Sequence, residues 1–339
     1  MTAREIVEAV AMCDQQGKLS PDGVGWARHP IIACNVKGSL FRKKKWNYWC
    51  VTSPQLLFSA TISHLDYAAV IFIYALDLAT KKFQEKTVVV PFGKGCNMPD
   101  EVYASVRYES PQLAIAFEEL GGSTSIKVHC PSFGGLNQPF TASLLIERPQ
   151  DHESLNVVIP WSRERFQFTS KMEALPASGT IHWHEETYSI SRTDSYGCLD
   201  FGRGKWPYRA EWNWGAASGR ADGRTIGLNF GGKWTDGTGQ NENGFVVNGR
   251  LHKIHEDMIW NYNQQNYMEP WHLETKGSDR VKLRFDPIFE RIAATNAVII
   301  TSKVHQLIGT YSGYIVDDSG EKIIISNLLG WAEDHAAKW

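Results

Sequence analysis

The sequence predicts an all-β fold: two consecutive antiparallel β-barrel domains with a short helix at each end of the chain. Three observations predict it. Apolar and polar residues alternate with period two through most of the chain. Pairs of turn residues separate these runs at short intervals. Helical spacing is confined to the two termini, and many strands joined by short turns build barrels or sandwiches. A chain of 339 residues favours two domains over one.

At the start, Thr2 and Glu5 suit a capping box, and Ile6, Val7 and Val10 give one apolar side, which predicts the first helix. The loop "SPDGVG" ends it. "EVYASVRYE" then places Val102, Ala104, Val106 and Tyr108 on one strand face. "ERPQDHESLNVVIPWS" (147–162) carries two prolines and mixed charge. It predicts a division near residue 160, giving an N-terminal domain 1–160 and a C-terminal domain 161–339. "GRADGRTIGLNF" is a hairpin turning at Asp222-Gly223. "FVVNGRLHKI" is another, because Asn248-Gly249 suits the positive φ angles of a type I′ turn. "RVKLRF" puts Val281, Leu283 and Phe285 inside. "YIVDDSGEKIII" turns near Asp318 to Gly320. "LLGWAEDHAAKW" has the alanine-rich spacing of a terminal helix.

Composition narrows the function. Apolar residues make up 42% and charged residues 21%, with a net charge of −2. That balance does not suggest nucleic acid or an anionic membrane surface as a partner. The basic run Arg42-Lys43-Lys44-Lys45 reads as a solvated face. The most apolar stretch, "YAAVIFIYALDLA", is far short of the ~20 residues of a membrane helix. The six cysteines form no CxxC pair, so free thiols and a cytoplasmic setting are expected. The first residues lack a signal-peptide pattern.

The stretch "DFGRGKWPYRAEWNWGAASGR" crowds Trp206, Tyr208, Trp212 and Trp214 together. Trp212 and Trp214 share one strand face, with Glu211 and Asn213 on the other. They are barrel core or the aromatic wall of a ligand cavity, and a barrel interior can be both. Gly202 and Gly204 let the backbone approach a neighbour closely. "GGKWTDGTGQNENG" (231–244) surrounds Asp236 and Glu242 with glycine and asparagine, beside Trp234. It is a long hairpin loop or a carrier of an acid, since a carboxyl against aromatic rings can stay protonated near neutral pH. "HWHEE" places His182 and His184 on one strand face, which suits an exposed strand better than a metal pair completed by His252 or His255. No G-x-S-x-G elbow, P-loop or dinucleotide fingerprint occurs. No metal and no cofactor are expected.

Three stretches carry a resemblance: "KWNYWCVTSPQLLFSATISHLDYAAVIFIYALDL" (45–78), "GCLDFGRGKWPYRAEWNWGAASGRADGRTIGLNFGGKWTDGTGQNENG" (197–244) and "LLGWAEDHAAKW" (328–339). Together the chain resembles domain-of-unknown-function family 2804. That family is in turn similar to tandem lipocalin-like proteins, among them carotenoid hydratases, tocopherol cyclases and fungal cyclases of the Diels–Alder type. Phe201-Gly202, Trp206-Pro207 and Trp212-x-Trp214 follow the elements of the tocopherol cyclase pattern, though with different gaps. A shared fold is therefore implied more strongly than a shared reaction.

The resemblance implies two lipocalin-like barrels and a cofactor-independent enzyme for a hydrophobic, isoprenoid or lipid-like ligand. Its reaction would be alkene protonation followed by hydration or cyclisation. Asp200, Asp236 and Glu242 are then the candidate acids, and His252 a base or an orienting group. Trp206, Tyr208, Trp212, Trp214 and Trp234 line the ligand site, the indoles facing the cation. A non-catalytic carrier would show a cavity without ionisable groups. A carbohydrate-active protein would show an open groove with exposed indole faces and paired carboxylates.

Overall fold

A computed structural model describes residues 3–38, 40–297 and 300–339. It is β almost throughout. Among the described residues the helical structure is one 3₁₀ turn, Pro21–Gly23. A sheet of thirteen strands and a sheet of nine hold most of the chain, and each is an antiparallel sheet curled around its own apolar core. These are two consecutive lipocalin-like barrels.

In the first sheet the order runs Phe83–Pro91, Ala68–Asp77, Leu56–His64, Lys43–Thr52, Tyr196–Lys205, Phe166–Trp183, Phe140–Glu147, Ser123–Cys130, Ala114–Glu119 and Val106–Glu109. Leu155–Pro160, from the proline-containing stretch 147–162, pairs with Phe166–Trp183 in this same sheet. The second sheet runs Arg250–Lys253, Gly244–Val247, Arg224–Gly232, Arg209–Ala221, Lys322–Lys338, Ile300–Val316, Val281–Ala297, Trp271–Thr275 and Met258–Asn261. The chain passes from one sheet to the other at 206–208.

The eighteen-residue strand Phe166–Trp183 bends because its register shifts between Met172 and Leu175, where Ala174 has a φ of 58°. Its first half pairs with Tyr196–Lys205 and its second half with Phe140–Glu147. A bulge of this kind turns a strand and raises its twist.

The hairpins turn where the sequence places them. Asp222-Gly223 and Asn248-Gly249 have positive φ in each case, and their strands pair across them. Neither expected terminal helix occurs among the described residues. Glu5 bridges Trp26, and Val10–Ala11 pairs with Ile32–Ala33. β-Branched Ile6, Val7 and Val10 suit this extended chain, and the expected capping residue Thr2 lies outside the described residues. At the other end, "LLGWAEDHAAKW" belongs to the strand Lys322–Lys338. That strand pairs on both sides, with Arg209–Ala221 and Ile300–Val316. Two full ladders of hydrogen bonds override the helical preference of its alanines, a weak prior worth tenths of a kcal/mol per residue. "HWHEE" also differs: His184 sits in the turn with a φ of 60°, while His182 pairs with Thr187. The two imidazoles do not share a strand. The six cysteines are free and buried.

Candidate functional site

Where the two sheets face each other they leave a cavity of about 290 Å³. Strand register builds its walls. On the first sheet, Lys171, Asp200, Tyr48, Thr61, Phe72 and Thr87 lie side by side across successive strands. The next row in the same direction is Thr169, Gly202, Trp46, Ser63 and Val70. On the second sheet, Trp214, Glu333, Gln306 and Arg291 form one row. Trp212, His335, Val304 and Ala293 form the next. Alternation along each strand sends these side chains to one face, and all of them except Gly202 line the cavity.

Depth varies within these rows: Thr169, Ser63 and Val304 of the second rows are buried, and Thr87 at the end of the first is exposed. Lys171, Tyr48, Thr61, Trp214, Gln306, Glu333 and Arg291 are buried, whereas Trp46, Val70, Trp212, His335 and Ala293 are half-exposed. The first set is a floor and the second a rim.

Glycine shapes the rim. A Cβ at Gly202 would sit 2.2 Å from the Trp46 ring, so the missing side chain lets that indole lie against the backbone. Trp206 stacks on Trp234 at 5.3 Å and meets Trp46, Trp161, Trp212 and Trp339 within 6 Å. The two ends of the loop 233–243 fold inward, while its turn at Asp236 and Gly237 faces out. Trp234 donates to Glu242 Oε1 at 2.7 Å, and a Cβ at Gly231 would strike that carboxylate.

Two buried carboxylate clusters stand on the floor. In the first, Lys171 Nζ lies 3.0 Å from Asp200 Oδ1 and 3.0 Å from Glu242 Oε2. The ammonium also sits 4.2 Å over the Trp214 ring, and Thr169 donates to Asp200. Burial works against the Lys171 cation, but the two carboxylates outweigh it and hold its pKa above the usual range. Burial raises Glu242 against the pull of Lys171. In the second cluster, Glu333 accepts from the Trp212 indole at 2.9 Å and from the Gln306 amide at 3.3 Å. It makes no ion pair among the described residues. Burial pushes its carboxyl up to about 7. His335 lies against Trp212, ring centres 3.9 Å apart and tilted by 38°. Only part of its surface reaches the cavity, and the burial of the rest, then Arg291, push it down to about 3, so that it stays neutral. Arg291 grips Glu85 with two hydrogen bonds of 2.9 and 2.8 Å.

Of the residues singled out in the sequence, Asp200, Glu242, Trp206, Trp212, Trp214 and Trp234 meet at this cavity. Three stand apart from it. Asp236 is exposed in the loop turn and accepts from the Lys233 N–H. His252 stacks on Phe245, and its Nδ1 accepts from the Asp318 N–H, outside the lining. Tyr208 lies outside the lining, beneath the Arg42 guanidinium. The sequence reading missed Lys171, Glu333, Gln306, Arg291 and His335. Period-two alternation through Trp331, Glu333 and His335 was the available signal, hidden by the helical reading of that stretch. No group of three or more metal-ligating side chains occurs among the described residues, and no described helix is long and apolar enough to cross a membrane.

The chain belongs to the family described as "Domain of unknown function (DUF2804)", which matches residues 3–339. No curated protein matches it in sequence. Among solved structures it is similar to CghA with Sch210972, at 10% identity and a TM-score of 0.53, covering 88% of each chain. It is also similar to kievitone hydratase from Nectria haematococca, at 9% identity and a TM-score of 0.48, covering 88% of this chain and 89% of that one. At 10% identity the likeness to CghA is one of fold.

Proposed function

We propose that the cavity is the active site of a cofactor-independent enzyme that protonates an alkene in a hydrophobic, isoprenoid or lipid-like substrate. Hydration or cyclisation follows, and Glu333 is the acid. One observation carries this reading: a carboxyl on the cavity wall, 7% exposed, is held by two neutral donors and no cation. Asp200 and Glu242 share the Lys171 ammonium, so a proton on either would give up an ion pair. Protonating Glu333 gives up none.

The step balances on that carboxyl. Its proton passes to one alkene carbon as the π bond breaks, which leaves a cation on the other carbon. The aromatic walls stabilise the cation through their ring faces. Water or a second alkene of the substrate supplies the electron pair of the new bond. The proton released, from the water oxygen or from the neighbouring carbon, returns to Glu333.

The carbohydrate reading needs exposed indole faces, and Trp206, Trp214 and Trp234 are buried. The carrier reading needs a cavity without ionisable groups, and this one holds several. The deciding experiment is E333Q, tested on a co-purified ligand or its precursor. Loss of conversion with binding retained supports the acid. Conversion at the wild-type rate removes Glu333 from the reaction. A wild-type protein that binds but converts nothing offered returns the carrier reading.

A further inference from the structure

The charges of the cavity are already spent on one another. Its lining holds two cations, Lys171 and Arg291, and four carboxyls, Glu85, Asp200, Glu242 and Glu333, beside a neutral His335. Lys171 is neutralised by Asp200 and Glu242. The Arg291 guanidinium is neutralised by a bidentate contact with Glu85, and its flat face covers the Tyr74 ring at 4.6 Å. Other cations lie outside the lining: Lys253, which acts on Glu242 and is held by Asn241 Oδ1 and the carbonyls of Asn243 and Ile254, and Lys44. The Lys44 ammonium donates to the carbonyls of Phe41 and Leu65 and lies over the Tyr67 and Trp339 rings. Even with Glu333 neutral, Glu85, Asp200 and Glu242 outnumber the two cations by one.

An anion entering this space would find no free cation; the donors of the lining that lack a partner, Trp46 Nε1, Thr61 Oγ1 and Trp339 Nε1, are neutral. It would lose its hydration and meet a net negative wall of low polarisability, which is the costly case for a buried charge. A cation meets the reverse: unpaired negative charge and the π faces of Trp46, Trp206, Trp212 and Trp339.

We propose that the cavity selects ligands by charge. It takes neutral oxygenated or hydrocarbon chains, holds a cationic analogue more tightly still, and rejects carboxylates and diphosphates. Fatty acids and prenyl diphosphates are thereby excluded as substrates, and uncharged isoprenoid alcohols, ketones or hydrocarbons are the class that fits. The inference rests on the cavity being the ligand site, as in the proposed function, but not on Glu333 acting as an acid.

Three farnesyl compounds with one tail and different heads test it: farnesylamine, farnesol and farnesoate, titrated at neutral pH by quenching of tryptophan fluorescence. The amine should bind at least about tenfold tighter than the alcohol, and the alcohol at least about tenfold tighter than the acid. Glu85→Gln releases Arg291 while keeping the shape of the side chain. It should move the farnesoate-to-farnesol affinity ratio at least about tenfold towards the acid. Asp200→Asn leaves Lys171 its Glu242 partner, so its shift should be smaller. Equal affinity for all three compounds, or a ratio unmoved by Glu85→Gln, overturns the charge rule while leaving the E333Q result free to stand. If none of the three binds, the charge rule falls with the ligand class. If the order holds and E333Q converts normally, the acid falls and the charge rule stands.

Discussion

Two carboxylate clusters face the same cavity; burial raises a carboxyl in each, and only one of them has a cation in contact to oppose it. Around Lys171, Asp200 and Glu242 share an ammonium that their combined charge keeps protonated. Around Gln306, Glu333 has hydrogen bonds but no cation in contact; Lys171 and Arg291 act on it only from a distance, and burial raises its carboxyl to about 7. The two sites are equally dry. What separates them is the presence of one cation. Low polarity alone does not decide whether a buried carboxyl stays ionised; the nearest opposite charge does.

The largest expected effect concerns the unpaired side. E333Q should lower conversion ~10²–10⁴-fold, the usual cost of losing a general acid, with little change in ligand affinity. Turnover under single-exposure conditions with the co-purified compound measures it. An equal loss in Glu242→Gln, with E333Q active, would reverse the assignment of the two clusters.

On the paired side the effect should appear in stability. Lys171→Met leaves two buried carboxylates facing each other, and removing one partner of a buried pair costs about 3–5 kcal/mol. Urea unfolding would show it. If the variant is as stable as the wild type, the ammonium contributes nothing to this cluster and the contrast disappears.

The third effect is one of pH. Glu333 has a folded value of about 7 against an ordinary 4.5, so between those values the folded state binds more protons than the unfolded one. Its stabilising contribution is complete below pH 4.5, declines as pH rises through about 7, and is constant above that. The size is about 3 kcal/mol. The stability of E333Q relative to wild type should therefore improve by that order between pH 4.5 and 8. A flat difference would mean that Glu333 titrates like an exposed residue.

The smallest effect is the control. Asp236→Asn, at an exposed turn, should change stability by less than about 0.5 kcal/mol and leave conversion unchanged. A measurable loss of activity would bring the loop's outer acid back into the reaction.

The legible part of this site was local in sequence. Trp206, Trp212 and Trp214 fall within nine consecutive positions, and Trp234 and Glu242 lie in one glycine-rich loop, so composition alone marked them. Asp200 was marked by its neighbours. Lys171 was not: in "FQFTSKMEAL" a lysine between apolar residues carries no sign of the Glu242 that reaches it from the other barrel. Glu333 and His335 were hidden for a different reason. Their segment is rich in alanine, and only pairing on both edges makes it a strand. Gln306 and Arg291 became part of a site through register with that strand. The fold was easier to read, because hairpins announce themselves through adjacent residues such as Asn248-Gly249, whereas the packing of one sheet on another has no local signature.

The two ion clusters on the floor also cross from one barrel to the other. Lys171 and Asp200 come from the first sheet and Glu242 from the loop between two strands of the second, while Glu85 comes from the first and Arg291 from the second. Neither barrel owns the cavity, and each supplies only half of its wall. A tenant molecule therefore works as a rivet: whatever it gains by filling the space also resists the parting of the two halves. By the same linkage, a substitution that loosens the seam anywhere along its length should weaken occupancy, even when it lies far from the tenant and leaves each barrel intact.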